Sequence, residues 1–246
     1  MSRYFLSGTL VVLALAVTAI SVGARSPARG RLTLPKTPYS YATVDLPAHF
    51  TQLARNDDNT PAYNPLTDHG ATLGRVLFYD NRLSANNRTS CASCHLQAHA
   101  FSDPRPASQG FRGALTDRRA MPLVNLRYYQ RARFFWDERA GNLEEMVLQP
   151  IHSRIEMGQD SKTLVELLAR DASYPGLFER AFGDREISEP RIGMALAQFV
   201  RSMVSYQSRY DTGRARARLV QDDFDNFTRQ ENRGKALFVR PAAAAT

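Results

Sequence analysis

Cys91 and Cys94 are the only cysteines in the 246 residues, and His95 directly follows the second. At this spacing a short helical turn presents both sulfurs on one side. They are placed to form thioethers with the vinyl groups of a haem, and the adjacent imidazole then faces the iron. Two other uses of the segment fit less well. A redox disulfide would sit beside a parallel-sheet pattern, which is missing around it. A zinc site needs more ligands, and the remaining histidines His49, His69, His99 and His152 show no paired spacing. Two cysteines and a histidine fall in this arrangement by chance with a probability on the order of 10⁻⁴. The sequence therefore predicts one covalently bound haem c, attached through Cys91 and Cys94, with His95 as axial ligand of its iron.

Such attachment is chemistry of the space outside the cytoplasm, and the beginning of the chain agrees. Arg3 is followed by an uncharged run over residues 4–24, with Val11, Val12, Leu13, Leu15, Val17 and Ile20 at its centre and Val22-Gly23-Ala24 before Arg25. Residues 1–24 are expected to be a signal peptide. The run also approaches the roughly 20 residues that span a bilayer, which makes an inner-membrane anchor the alternative. Either places the remainder in the periplasm. Residues 25–40, with Pro27, Pro35 and Pro38, read as a linker.

Hydrophobic residues make up 43% and charged residues 23%, the proportions of a soluble globular chain, which argues against disorder and against a membrane bundle. The formal net charge is +8, and with lysine limited to Lys36, Lys162 and Lys235 it is nearly all arginine. This reads either as a solvated arginine-biased surface or as a basic face for an acidic redox partner or anionic lipid. No basic stripe is interleaved with aromatics, so nucleic acid is not expected as a partner.

The elements that must position the haem read as helices. Leu66, Leu73, Leu77 and Phe78 suit a helix entered at Asn64-Pro65. A loop over residues 81–88 leads to the cysteines, and residues 102–122, rich in Ser, Pro, Gly and Arg, form a long loop of the kind that carries function. A short helix over 143–149 is expected to stop at Pro150. Another over 163–170 follows the capping residues Asp160-Ser161. The best helix starts near Ser188, tolerates Pro190 in its first turn, and aligns Ile192, Leu196, Phe199, Val200, Met203 and Val204 on one apolar face. No strand-like alternation is present. The fold class is all-α with long loops, which suits a core that is partly a flat apolar cofactor. Leu73-Gly74-Arg75-Val76-Leu77-Phe78 is echoed by Arg233-Gly234-Lys235-Ala236-Leu237-Phe238 near the C-terminus.

The surroundings of the cysteine motif carry a more specific signal. Asn64-Pro65-Leu66-Thr67 comes first, and the first copy of the echo continues as Tyr79-Asp80-Asn81-Arg82-Leu83-Ser84. Ala100-Phe101-Ser102-Asp103, Phe134-Phe135-Trp136-Asp137-Glu138-Arg139-Ala140, Pro150-Ile151 and Glu156-Met157-Gly158 follow. Together these closely resemble the bacterial di-haem cytochrome c peroxidases, including the relatives that mature methylamine dehydrogenase. The resemblance covers roughly residues 40–240. It implies two cytochrome c-like domains with one haem each, the N-terminal haem peroxidatic and the C-terminal one receiving electrons. On that basis residues 41–212 are the peroxidatic domain. Residues 213–246 are the start, with the first helix, of a second domain cut short before its haem motif. Cys91, Cys94 and His95 match the attachment and proximal ligand of the peroxidatic haem. Trp136 matches an electron relay between haems, and Glu156 the acid/base glutamate. A carboxylate beside the iron suits that role, because peroxide must lose a proton from one oxygen and gain one on the other as the O–O bond breaks.

Three departures from the family pattern stand out. Ser108-Gln109-Gly110 leads to Phe111 where ligand-switching members carry a distal histidine. The family's calcium-binding asparagine is missing from Arg118-Arg119-Ala120-Met121-Pro122, so calcium is not carried over. Only one haem motif is present. The expected function is a periplasmic haem peroxidase, a cytochrome-c peroxidase-like oxidoreductase that reduces hydrogen peroxide with electrons from a small cytochrome or cupredoxin. The alternatives are a mono-haem electron-transfer protein, a haem enzyme oxidising a protein substrate, and an inactive truncated remnant. An electron carrier would need a second axial ligand, for which Met121, Met146 and Met157 exist outside any carrier-like context. A membrane anchor and a homodimer stay open as further associations.

Overall fold

The computed structural model describes residues 32–239. The expected signal peptide or anchor, the first part of the linker and residues 240–246 lie outside these. From Leu34 on, the described residues belong to a single unit. No helix among the described residues is long and apolar enough to cross a membrane.

Eight α-helices and four 3₁₀ turns make up the described chain, with only isolated β-bridges besides. The helices are α1 (Ala48–Asp57), α2 (Asp68–Phe78), α3 (Leu143–His152), α4 (Ser161–Ala169), α5 (Tyr174–Phe182), α6 (Glu189–Arg201), α7 (Arg209–Arg216) and α8 (Arg229–Val239). The all-α expectation holds, and between α2 and α3 the chain runs through loops and 3₁₀ turns as anticipated. Thr67 caps α2 by accepting from the Gly70 amide, and Asp160 caps α4 by accepting from the Thr163 amide. The end of α3 differs from the expectation. Pro150 does not stop α3, which continues to His152 with the proline inside it. Proline removes its own donor and crowds the carbonyl four residues before it, yet the turn persists. The fully buried Ile151 holds the last turn to the core, and the Ser153 amide closes it on the Gln149 carbonyl.

The centre of the molecule is the crossing of α2 and α6. A Cβ on Gly74 would strike the Ala195 carbonyl, and one on Gly70 the Gln198 side chain, so the two glycines let the backbones approach. Leu73, Leu77 and Phe78 of α2 are buried against Ile192, Leu196, Phe199 and Val200 of α6, and Met146 and Ile151 of α3 join the same core. The apolar face read from residues 192–203 is buried throughout, and Val204 beyond the helix end is partly exposed. At the far end, α7 and α8 enclose a small separate cluster around buried Phe224, whose ring contacts Tyr210 and Phe227 and is covered by the Lys235 ammonium at 4.2 Å.

A buried polar network locks α2, α3 and α6 together. Arg201, at the end of α6, is 2% exposed at its side chain and grips Glu144 of α3 with two hydrogen bonds, of 2.6 and 3.1 Å. Asn64 donates to the same carboxylate (2.6 Å) and accepts from Gln198, whose own oxygen accepts from the Thr67 amide and hydroxyl. Burial opposes ionisation of Glu144, but the Arg201 and Asn64 bonds outweigh it and hold the carboxyl below its usual range. The stability this adds is therefore present above the unfolded glutamate pKa of about 4.3 and is lost as pH falls through the lower folded value. Arg201→Met leaves the carboxylate buried without its cation, and a loss of about 3–5 kcal/mol is expected by urea denaturation of the haem-loaded protein at neutral pH. Adding Glu144→Gln should restore part of that loss and flatten the acid side of the stability curve.

Candidate haem site

Ser90 opens a 3₁₀ turn over Cys91–Ser93, with its amide donating to the Ser93 hydroxyl at 3.0 Å. The Cys94 and His95 amides both close on the Cys91 carbonyl, at 3.2 and 2.9 Å. Cys91, Cys94 and His95 thereby line one cavity of about 480 Å³, within the roughly 300–1,000 Å³ of cofactor pockets. Both thiols are free. Burial pushes the Cys91 thiol up to about 12 and raises that of Cys94 as well, so both are protonated before attachment. Phe78, Leu123, Leu196 and Val200 supply apolar wall. A flat apolar macrocycle bearing two vinyl groups and a metal that takes nitrogen fits this donor set and this volume.

The orientation of His95 is set by the loop that follows it. Its Nδ1 donates to the Phe101 carbonyl at 2.8 Å, which leaves the Nε2 of a neutral ring without a proton and able to ligate a metal. Burial lowers the His95 pKa, which favours the neutral ring that a metal requires. To aim that carbonyl, Ala100 and Phe101 both take left-handed conformations, at φ 54° each. Such strain costs about 1–3 kcal/mol per residue and persists where surrounding contacts enforce it. Here the Leu96–Ser102 bridge closes the loop, and buried Asp103 anchors its exit by accepting from the Arg105 guanidinium at 2.9 and 2.7 Å. That guanidinium holds the Asp103 carboxyl far below the usual range.

Glu156 reaches the same cavity from the loop after α3. The loop is tied at both ends, because His152 Nδ1 donates to the Gln159 carbonyl (2.9 Å) and the Gln159 amide donates to the Ile151 carbonyl (2.8 Å). His152 Nε2 is in turn held by Glu189, which also accepts from Ser161. The Glu156 amide bonds Ser153, whereas its carboxylate has no hydrogen-bond or ion-pair partner among the described residues. Trp136 also lines the cavity, is 54% exposed, and donates from Nε1 to the Arg119 carbonyl at 3.0 Å. Its neighbour Phe135 is left-handed at φ 70° and lies beneath the Arg139 guanidinium at 3.6 Å.

All five residues singled out from the sequence thus share one cavity. Three further placements were not legible there. Met121, Met146 and Met157 all line it, although nothing in their sequence context marks them as ligands. His99 is exposed and outside it. Phe111 is not part of the wall either. Its amide donates to the Glu156 carbonyl, and the ring packs on Gly158, which stands at φ 64° where a Cβ would strike that ring, and under Arg112. Among the described residues, no group of three or more His, Cys, Asp or Glu is placed to hold a metal ion.

A family model for di-haem cytochrome c peroxidases matches residues 68–217. The chain belongs to the di-haem cytochrome c peroxidase family. The methylamine utilization protein MauG of Methylophilus methylotrophus is 38% identical over 178 residues, 72% of this chain and 51% of that one. The cytochrome c551 peroxidase of Nitrosomonas europaea is 29% identical over 188 residues, 76% of this chain and 54% of that one. Among solved structures, a MauG-like protein associated with microbial copper homeostasis matches with a TM-score of 0.64 and 35% identity, over 73% of this chain and 51% of the other. This member of the di-haem peroxidase family spans about half the length of these relatives.

Covalent attachment has a direct test. Protein exported from a host with cytochrome c maturation should keep its haem colour in a denaturing gel, and Cys91→Ala with Cys94→Ala should abolish it. Colourless wild-type protein from that host would refute the attachment.

Proposed function

We propose that residues 41–212 form the peroxidatic domain of a periplasmic haem peroxidase, which reduces hydrogen peroxide with electrons from a small cytochrome or cupredoxin. Cys91, Cys94 and His95 hold a single haem c in this chain, and residues 213–246, where α8 weakly echoes α2 at Gly234, Leu237 and Phe238, begin a second unit of the same kind. Calcium is not part of the proposal. The observation that carries the reading is the placement of a Glu156 carboxylate, free of partners, in the cavity lined by the haem-attaching cysteines and His95.

When bound, the haem supplies the redox chemistry that takes up the two oxidising equivalents of peroxide. Glu156 moves the proton, taking it from one peroxide oxygen and returning it to the other, which leaves as water. The loop clamps at His152 and Gln159 hold the backbone that carries Glu156, and the free carboxylate can turn between the two oxygens. Trp136 is the electron relay, with its ring fixed by the Arg119 carbonyl and its edge open for the donor side. Glu156→Gln should lower the rate of peroxide cleavage by about 10²-fold or more while leaving haem attachment intact. A variant that cleaves peroxide at the wild-type rate would remove Glu156 from the mechanism.

A second reading, a mono-haem electron-transfer protein, draws on the three methionines in the cavity wall, since methionine is a common sixth ligand in carriers. Spectroscopy separates the two. The peroxidase reading expects a predominantly high-spin ferric haem that binds cyanide without prior reduction. A wholly low-spin spectrum at neutral pH that turns high-spin in Met121→Leu, Met146→Leu or Met157→Leu would favour the carrier.

A further inference from the structure

A continuous series of aromatic contacts that does not include Trp136 runs from the haem cavity to the surface. Phe78 forms part of the cavity wall, and its ring lies 6.4 Å from that of His95. From Phe78 the series divides. One branch is a single step to Tyr79, with centroids 5.2 Å apart, and Tyr79 is 46% exposed. The other passes to Phe199 (5.3 Å), then Tyr41 (6.3 Å), then Tyr39 (6.2 Å), which is 55% exposed. Core packing accounts for the two buried phenylalanines but not for tyrosines standing at both surface ends.

The ends are held rather than loose. Asp68 accepts from the Tyr41 and Ala42 amides, at 2.7 and 2.8 Å, which pins this segment to the start of α2. Arg75, one turn before Phe78, lies 4.8 Å over the Tyr39 ring and 6.0 Å from Tyr41. A cation over a phenol opposes positive charge on the ring, so an electron leaves it readily only together with the phenolic proton. Tyr39 and Tyr79 have water to take that proton. The Tyr41 hydroxyl is buried and has no partner among the described residues, so Tyr41 conducts without retaining the oxidation.

We propose that Tyr39 and Tyr79 are the surface terminals of a second electron port, through which the haem draws one electron at a time from solvent-accessible phenols by way of Phe78. The proposal rests on the peroxidase reading, because peroxide is the oxidant. Each terminal tyrosine gives an electron inward and a proton to water. Two such oxidised rings on two molecules then join through a carbon–carbon bond. Two tyrosines and one hydrogen peroxide thus yield one dityrosine and two waters.

The test treats the haem-loaded protein with hydrogen peroxide and no added donor, and follows peroxide consumption in parallel. Frozen samples are read by electron paramagnetic resonance, and covalent dimers are mapped by peptide mass spectrometry. Tyr63 is the internal control. It is 62% exposed, more than either terminal, and has no ring contact among the described residues. The expected result is a tyrosyl signal with cross-links at Tyr39 and Tyr79 and none at Tyr63. Tyr39→Phe with Tyr79→Phe should lower the dimer yield several-fold. Phe199→Leu should shift cross-linking from Tyr39 towards Tyr79. Peroxide consumption accompanied by cross-links through Tyr63, or by an undiminished dimer yield in the double variant, overturns the port and leaves the peroxidase standing. Peroxide left untouched by wild-type protein overturns both.

Discussion

The absence of a side chain at Gly74 fixes the geometry on which the site depends. The carbonyl of Ala195 occupies the space a Cβ would need, so α2 and α6 cross backbone to backbone. That crossing sets where Phe78 ends α2 and where Leu196 and Val200 project from α6, and these three side chains form one wall of the haem cavity. A protein whose core is completed by a cofactor has fewer apolar contacts of its own with which to fix its helices. The buried Arg201–Glu144–Asn64–Gln198 network supplies the missing definition, because hydrogen-bonded groups fit in one register where apolar surfaces slide between several.

Around this rigid crossing the functional groups are carried on loops, and the backbone is most strained there. Ala100 and Phe101 beside His95, and Phe135 and Glu138 beside Trp136, all adopt left-handed conformations without being glycine. Each strained stretch is closed by a nearby constraint. Leu96 bridges to Ser102, and Phe134 bridges to Ala140. The Glu156 loop relies instead on His152 and on the turn at Gly158. The loops are thus long in sequence but tightly closed in space.

Much of this was legible in the sequence because its signals are local. The Cys91–His95 spacing is a property of five consecutive residues, and the apolar face of α6 a property of one helix. Helix α5 is not among the expected elements although Tyr174, Leu177, Phe178, Ala181 and Phe182 recur at helical spacing, whereas α1 and α7 give little signal, since residues 48–57 carry few apolar positions and residues 209–216 are mostly polar. Pro150 misled for the opposite reason, because a strong local stop signal is overridden by the burial of Ile151. The placement of Met121, Met146 and Met157 in the cavity lining, and of Phe111 outside it, depends on how separate segments fold back on one another. No periodicity within a segment records that.

The partner of His95 Nδ1 is a backbone carbonyl rather than a side chain. Every amino acid carries that carbonyl, so substitution at position 101 can change the ring beside the cavity without deleting the acceptor. The electron-donating character of the imidazole, and with it the tuning of any iron that His95 would ligate, is therefore inherited through the path of a seven-residue loop rather than through any one codon. Drift in sequence is buffered there, whereas an insertion or deletion between Leu96 and Ser102 would move the acceptor of the His95 ring at once, even with both cysteines and the histidine intact.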